Sequence, residues 1–366
     1  MPSWRGRRPI ARWNIAGPGR ISLPMEKLVY VDDALPGITR RRVGKGWAYY
    51  DPAGALIRDA REKKRLNAIA LPPAYRDAWF CPAPNGHILA TGYDDAGRKQ
   101  YRYHPDFRSA RESAKYDACA SFGKLLPLVR KRVEEDLTAS GVPRERALAA
   151  VVRLLDLSAI RIGNEQYARS NDSYGATTLR ADHAEVGRSK LRLHFVGKGG
   201  KEHDLEVEDE DLAAAVRRME DLADGEEGGD DHLFRYEDDE GAVHPVTSAD
   251  VNAYLRETMG EAFTAKHFRT FHASSLAFER LATGEGHVRL REMLEHVAEH
   301  LGNTPAIARK SYIHPAVIGR IEGQEEWRAG LKLPRATRWL TGAERGLIAF
   351  LEECGTASDY LAHDTA

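Results

Sequence analysis

The sequence predicts an α+β fold: a small β-rich N-terminal domain and a larger, mainly helical domain carrying a β-hairpin. Three observations predict it. Between Lys27 and Tyr103, short β-prone runs are cut by turn dipeptides. From Pro105 onward, apolar residues recur every three or four positions. Near residues 191–207 the pattern reverts to strict alternation around a glycine-rich turn. A length of 366 residues allows about two domains. The predicted division is a basic arm at 1–20, a β-rich domain at 21–105, a mainly helical domain at 106–340 and a C-terminal helix or tail at 341–366.

In chain order, the arm carries Arg5, Arg7, Arg8, Arg12 and Arg20, no acid, and Gly6, Gly17, Pro18 and Gly19, which predicts a flexible basic segment. Turns follow at Pro36-Gly37, Asp51–Gly54, Pro84–Gly86 and Asp94–Gly97. Strands are expected at Trp47–Tyr50, His87–Thr91 and Lys99–Tyr103, with one helix near Ala60–Leu66. Phe122, Leu125, Leu126, Val129 and Val133 mark one helical stripe, and Leu148, Val151, Leu154 and Leu155 a second. Leu191, Leu193 and Phe195 alternate with polar residues, Gly197–Gly200 turns, and Leu205 and Val207 alternate again. Helices are then expected at Asp211–Leu222, Ser248–Met259, Phe268–Leu281 and Val288–Leu301, with Gly225–Asp231 a solvated loop. Thr304 is placed as an N-cap with Pro305 in the first helical position, opening a short helix that ends by Pro315. Thr341–Glu353 is a last helical candidate.

Composition excludes several classes. The formal net charge of −1 does not by itself announce a polyanion binder, but the charges are segregated. Arginines and lysines cluster at 1–20, at Arg40–Lys45 and at Arg98–Arg102, and acids cluster at Asp221–Asp231 and Glu237–Glu240. Three widely spaced cysteines, Cys81, Cys119 and Cys354, fit a reducing compartment and no disulfide framework. His296 and His300 stand four apart, but Val297 occupies the place of the glutamate in a metalloprotease motif and no third ligand is evident, so ordinary helix histidines are the favoured reading. Cys81 and His87 are read as incidental neighbours. No run of 18 apolar residues predicts a membrane span, and the N-terminus lacks the apolar region of a secretory signal. No phosphate-cradling Gly-x-x-x-x-Gly-Lys-Ser/Thr loop is present, so no nucleotide cofactor is expected, and with no Cys-x-x-Cys pair no metal is expected either.

Five positions carry candidate chemistry: Arg161 in Arg161-Ile-Gly-Asn164, Lys198 at the hairpin tip, Arg269 in Lys266-His-Phe-Arg269-Thr-Phe271, Asn303 at a helix junction, and Tyr312 in Ala308-Arg-Lys-Ser-Tyr312. Taken singly, each has an ordinary structural explanation. In this order, the set resembles the Arg, Lys, Arg, His-or-Asn, Tyr pentad of poxvirus-type and bacterial type IB DNA topoisomerases. Matching segments extend from about Tyr30 to about Pro315, including Tyr167, Ser173–Leu179, Pro84–His87 and Gly97–Tyr103.

The resemblance implies an enzyme that relaxes supercoiled duplex DNA by transient single-strand cleavage through a 3′-phosphotyrosyl bond, without ATP. The residue chemistry fits that role. A phenol is a usable nucleophile if cations stabilise its phenolate. Two guanidiniums can grip the oxygens of a five-coordinate phosphorus in bidentate fashion. A lysine on a glycine-flanked turn can protonate the leaving 5′ oxygen. Asn303 can donate a further hydrogen bond, whereas viral and eukaryotic members carry a histidine there. By the same resemblance, Tyr167, Lys266, Arg98, Lys99, Gln100, Tyr101 and Tyr103 are assigned to DNA contacts, and the two domains are expected to form a C-shaped clamp on duplex DNA. A bacterial, cytoplasmic, nucleoid-associated monomer is expected.

Two competing readings remain. A tyrosine recombinase shares the nucleophile, but it typically carries histidine where Lys266 and Asn303 stand, and a helical N-terminal domain. A non-catalytic DNA-binding protein on the same scaffold would not need a complete pentad.

Overall fold

The structure, a computed structural model, describes residues 28–222, 231–260 and 263–361. The arginine-rich segment 1–20 and all but Asp231 of the Gly225–Asp231 loop lie outside the described residues. The chain divides into two compact units, one formed by residues 21–115 and the other mainly by residues 116–360.

The first unit is built on β1 (Ile38–Val43), β2 (Gly46–Tyr50), α1 (Ala60–Ala68), β3 (Arg76–Phe80), β4 (Ile88–Tyr93) and β5 (Lys99–Tyr103). The strands form one antiparallel sheet in the order β2-β1-β3-β4-β5. Its core is small: Ile38, Tyr49, Leu66, Leu71, Phe80 and Ala90, with Tyr49 set edge-on to Phe80. Arg40, counted above with a basic cluster, has a structural role. Its guanidinium lies 4.0 Å from the Trp47 ring and donates to the carbonyls of Leu71 and Pro72, so the loop after α1 is tied to the sheet.

The second unit is mainly helical. It takes in most of α2 (Pro105–Leu137) and continues with α3 (Arg144–Ser158), α4 (Glu165–Asn171), β6 (Ala184–Val186), β7 (Lys190–Gly197), β8 (Lys201–Glu208) and α5 (Glu210–Asp221). It is completed by β9 (Arg235–Glu237), β10 (Val243–Pro245), α6 (Ser248–Met259), α7 (Lys266–Thr283), α8 (Leu290–Leu301), α9 (Pro305–Ser311), α10 (Pro315–Gly319), α11 (Gln324–Gly330), α12 (Gly342–Glu353) and α13 (Ala357–Leu361). The fold is thus α+β, with an antiparallel sheet in the N-terminal region and a helical domain following it in the sequence.

The elements that position the site are the most buried ones. Along α3, Ala147–Val152, Leu154 and Leu155 are all buried, so the middle of this helix runs through the core. In α7, Phe268, Phe271 and Phe278 are fully buried. The helix ends follow local chemistry: Thr304 caps α9 ahead of Pro305, Thr341 and Glu344 form a capping box on α12, and Gly302 closes α8 in the left-handed region.

One buried polar network ties these elements together. Arg130 of α2 donates bidentately to Asp156 at the end of α3 and also pairs with Glu344 of α12. His272 of α7 lies 2.9 Å from the same Asp156 carboxylate. Burial alone would raise the Asp156 carboxyl, but the hydrogen bonds from His272 and Arg130 and the guanidinium charge hold it well below the usual carboxylate range. Removing one partner of such a buried set leaves the others uncompensated, which costs about 3–5 kcal/mol. Asp156→Ala is therefore expected to lower the unfolding free energy by about that amount in urea titrations at neutral pH. The folded pKa lies below the unfolded value of about 3.9, so the contribution is complete above that pH and is lost as pH falls below it. The gap between variant and wild type should accordingly narrow below about pH 4. A gap unchanged by acid would contradict this account of Asp156.

Candidate active site

Four of the five singled-out residues converge in the helical unit. Arg161 follows α3 across a turn made by Ala159, which adopts a left-handed conformation (φ 50°, ψ 24°) as the cap of α3. An alanine in that region carries strain that glycine would not. The turn has a use: the Ala159 carbonyl accepts a hydrogen bond from the Arg269 guanidinium. The Leu301 carbonyl, at the end of α8, accepts another at 3.0 Å. Arg269 is 3% exposed, and two helix-end carbonyls, one from each neighbouring helix, therefore hold its charge in place.

Asn303 follows the Gly302 cap and is nearly buried. Its Oδ1 accepts from the Arg161 guanidinium at 2.8 Å. That fixes the amide orientation, because arginine can only donate. Its Nδ2 is then a buried donor with no hydrogen-bond partner among the described residues, and so is the Nε of Arg269. Two unspent donors in one cluster suit an acceptor-rich group such as a phosphate.

Tyr312 terminates α9. Its segment is pinned from two sides. Tyr116 donates to the Lys310 carbonyl, and the Ser274 hydroxyl of α7 accepts from the His314 amide at 2.9 Å while reaching the Tyr312 carbonyl at 3.4 Å. The Arg269 guanidinium stands 4.7 Å from the Tyr312 ring centroid. Burial would raise the phenol, but the charges of Arg269 and Arg161 beside it bring it below its ordinary value. Burial, with a smaller push from Arg161, brings the Arg269 guanidinium down to about 10, so it remains a cation at neutral pH.

Lys198 lies outside this cluster, exposed on the turn between β7 and β8, where Gly199 and Gly200 both have positive φ. Nearby, Lys201 donates to the Asn303 carbonyl at 3.4 Å. Of the DNA-contact candidates in this unit, Tyr167 is half-buried on α4 and Lys266 is exposed at the start of α7. The remaining candidates belong to the other unit. There Arg98 pairs with Asp94, Lys99 pairs with Asp33, and Gln100 donates to Asp94. Tyr101 and Tyr103 stack with their centroids 5.7 Å apart.

Sequence reasoning missed His203, Ala159 and the Asp156–His272 pair. His203 carried a signal: on β8 it is in phase with Leu205 and Val207, whose side chains turn inward. The other two had none, since a left-handed alanine and a partner 116 residues away leave no local trace.

The geometry has a direct consequence. Removing either cation should raise the phenol pKa of Tyr312. Difference titrations of wild type against Tyr312→Phe should place the wild-type phenol below about 10, and Arg269→Ala and Arg161→Ala should each move it upward. A Tyr312 signal that ignores both substitutions would show that the guanidiniums do not act on the phenol.

The family profile described as eukaryotic DNA topoisomerase I, catalytic core, matches residues 104–329, more than half of the chain. The bacterial DNA topoisomerase IB N-terminal domain matches residues 46–94, within the β-sheet unit. A DNA topoisomerase 1B of Acanthamoeba polyphaga mimivirus is 29% identical over 293 residues, covering 76% of this chain and 85% of the viral protein. A DNA topoisomerase 1B of Vaccinia virus (strain Copenhagen) is 20% identical over 236 residues, covering 64% and 73% respectively. Among solved structures, a XerH site-specific recombinase bound to palindromic difH substrate in a post-cleavage complex gives a TM-score of 0.35 at 16% identity, covering 51% of this chain and 47% of that one. With the catalytic-core profile spanning most of its helical unit and the bacterial N-terminal profile falling within its sheet unit, this chain belongs to the type IB DNA topoisomerase family, isomerases that change DNA topology.

Proposed function

We propose that this enzyme relaxes supercoiled duplex DNA as a monomer, cutting and resealing one strand through Tyr312 without ATP or a required metal. The observation that carries this reading is the convergence of Arg269, 4.7 Å from the Tyr312 ring, with Arg161 bound to Asn303 in the same cluster, where both charges act to lower the phenol pKa. The phenolate oxygen attacks the scissile phosphorus. A bond forms between phosphorus and the phenolic oxygen, and the bond to the 5′ oxygen breaks, leaving the strand attached at its 3′ phosphate. Arg161 and Arg269 stabilise the added charge on the non-bridging oxygens. The spare donors on Asn303 and Arg269 supply further hydrogen bonds to the same group.

The leaving 5′ alkoxide needs a proton. Lys198, standing free on the hairpin turn, supplies it and takes it back on resealing. The phosphotyrosyl ester stores the energy of the broken bond, so the 5′ hydroxyl can displace the phenol and no nucleotide is consumed. Backbone phosphates and the basic and aromatic residues of both units, Lys266, Tyr167, Arg98, Lys99, Gln100, Tyr101 and Tyr103, account for DNA binding in this reading.

Wild-type protein should relax negatively supercoiled plasmid in EDTA with no nucleotide, while Tyr312→Phe should still shift the plasmid in a gel and relax none of it. Relaxation by Tyr312→Phe, or a wild-type enzyme silent until ATP is added, would refute the mechanism.

A further inference from the structure

His203 has no part in the chemistry above, yet it sits against it. It is 7% exposed and occupies an inward-facing position on β8, directly across from Phe195 on β7. The two rings are stacked, with centroids 4.8 Å apart and planes 6° from parallel. Two glycines make room for the imidazole. A Cβ on Gly302 would lie 2.2 Å from its Cε1, and a Cβ on Gly197 would lie 2.6 Å from its Nε2. Neither distance is sterically possible, so the ring fills a slot that exists only because both residues lack a side chain.

The neighbours of those glycines give the slot its meaning. Gly197 immediately precedes Lys198, and Gly302 immediately precedes Asn303. The imidazole therefore bridges the residue before the proposed acid and the residue before the amide that holds Arg161. The Lys201 ammonium adds a second tie between the same two segments through the Asn303 carbonyl.

We propose that His203 is a positioning residue whose ring, lodged between Gly197 and Gly302, locks the Lys198 hairpin against the Asn303 turn and so sets where the lysine can deliver its proton. The proposal rests on the reading of Lys198 given under Proposed function. Burial, with Lys201, Arg161 and Arg269 adding repulsion, brings the imidazole pKa down to about 4, so the ring is a neutral wedge and not a charge. A neutral ring also spares Arg161 and Arg269 a competing cation at the phosphate site. Moving a catalytic group by about 1 Å costs on the order of 10²-fold in rate. The loss should fall only on the step that needs the proton.

Single-turnover cleavage of a suicide duplex separates these effects. One substrate carries the natural 5′ oxygen at the scissile bond. The other carries a 5′ sulfur, which leaves without an acid. His203→Ala should cleave the oxygen substrate about 10²-fold more slowly than wild type and the sulfur substrate at close to the wild-type rate, the same pattern as Lys198→Ala. Gly197→Ala, whose backbone is not in the left-handed region, should slow the oxygen substrate by crowding the ring and should add nothing in the His203→Ala background.

Equal slowing on both substrates would mark His203 as a general packing residue and overturn the proposal. So would an unchanged oxygen rate, or additive effects of the Gly197 and His203 substitutions. If wild type cleaves but Lys198→Ala shows no recovery on sulfur, the assignment of Lys198 falls and the positioning role falls with it. If wild type forms no covalent adduct on either substrate, the whole mechanism is wrong.

Discussion

The fold depends on burying one positive charge. Arg269 lies inside a helical core, where an unpaired guanidinium would cost several kcal/mol. Among the described residues, no carboxylate pairs with it. It is held by the carbonyl ends of two helices, Ala159 after α3 and Leu301 at the end of α8, and by the phenol it faces. A carboxylate partner would satisfy the charge better, but it would also quench its pull on an incoming phosphate. Helix-end carbonyls offer partial negative charge without that quenching. The left-handed alanine at the end of α3 is the local strain this arrangement requires.

The rest of the unit supports that placement. α3 and α7 are buried on nearly every side, so their ends are fixed by packing. The Arg130, Asp156, His272 and Glu344 network joins α2, α3, α7 and α12 just below the site. Asp156 lies three residues before Ala159, and His272 lies three residues after Arg269, so the network anchors both partners of the central contact. Through Glu344, helix α12, which lies beyond the segment matched by the catalytic-core profile, is part of the support for the site.

Much of this was legible in the sequence, and the failures have physical reasons. Alternation around Gly197–Gly200 located the hairpin because one face of a half-buried sheet must be apolar. Helices with strong caps, such as the one after Thr304, were placed closely because capping is a local interaction. Arg161, Arg269, Asn303 and Tyr312, singled out by their order, lie together in the structure. The order could not show that Arg161 binds Asn303, or that Lys198 stands apart on its turn. Arg40 looked like surface charge because nothing local reveals that Trp47 and the carbonyls of Leu71 and Pro72 will surround it. The inward phase of His203 on its strand was legible, but not the slot it fills, since the glycines that admit its ring are 6 and 99 positions away.

The central claim is that the Tyr312 phenolate, activated by Arg161 and Arg269, becomes bonded to DNA. Trapping the enzyme on a suicide duplex, digesting the DNA and protein, and sequencing the nucleotide-bearing peptide by mass spectrometry tests it most directly. The account requires the modification on Tyr312, attached to a 3′ phosphate, with the yield collapsing in Arg269→Ala. A nucleotide on any other residue, or a 5′ linkage, would contradict it.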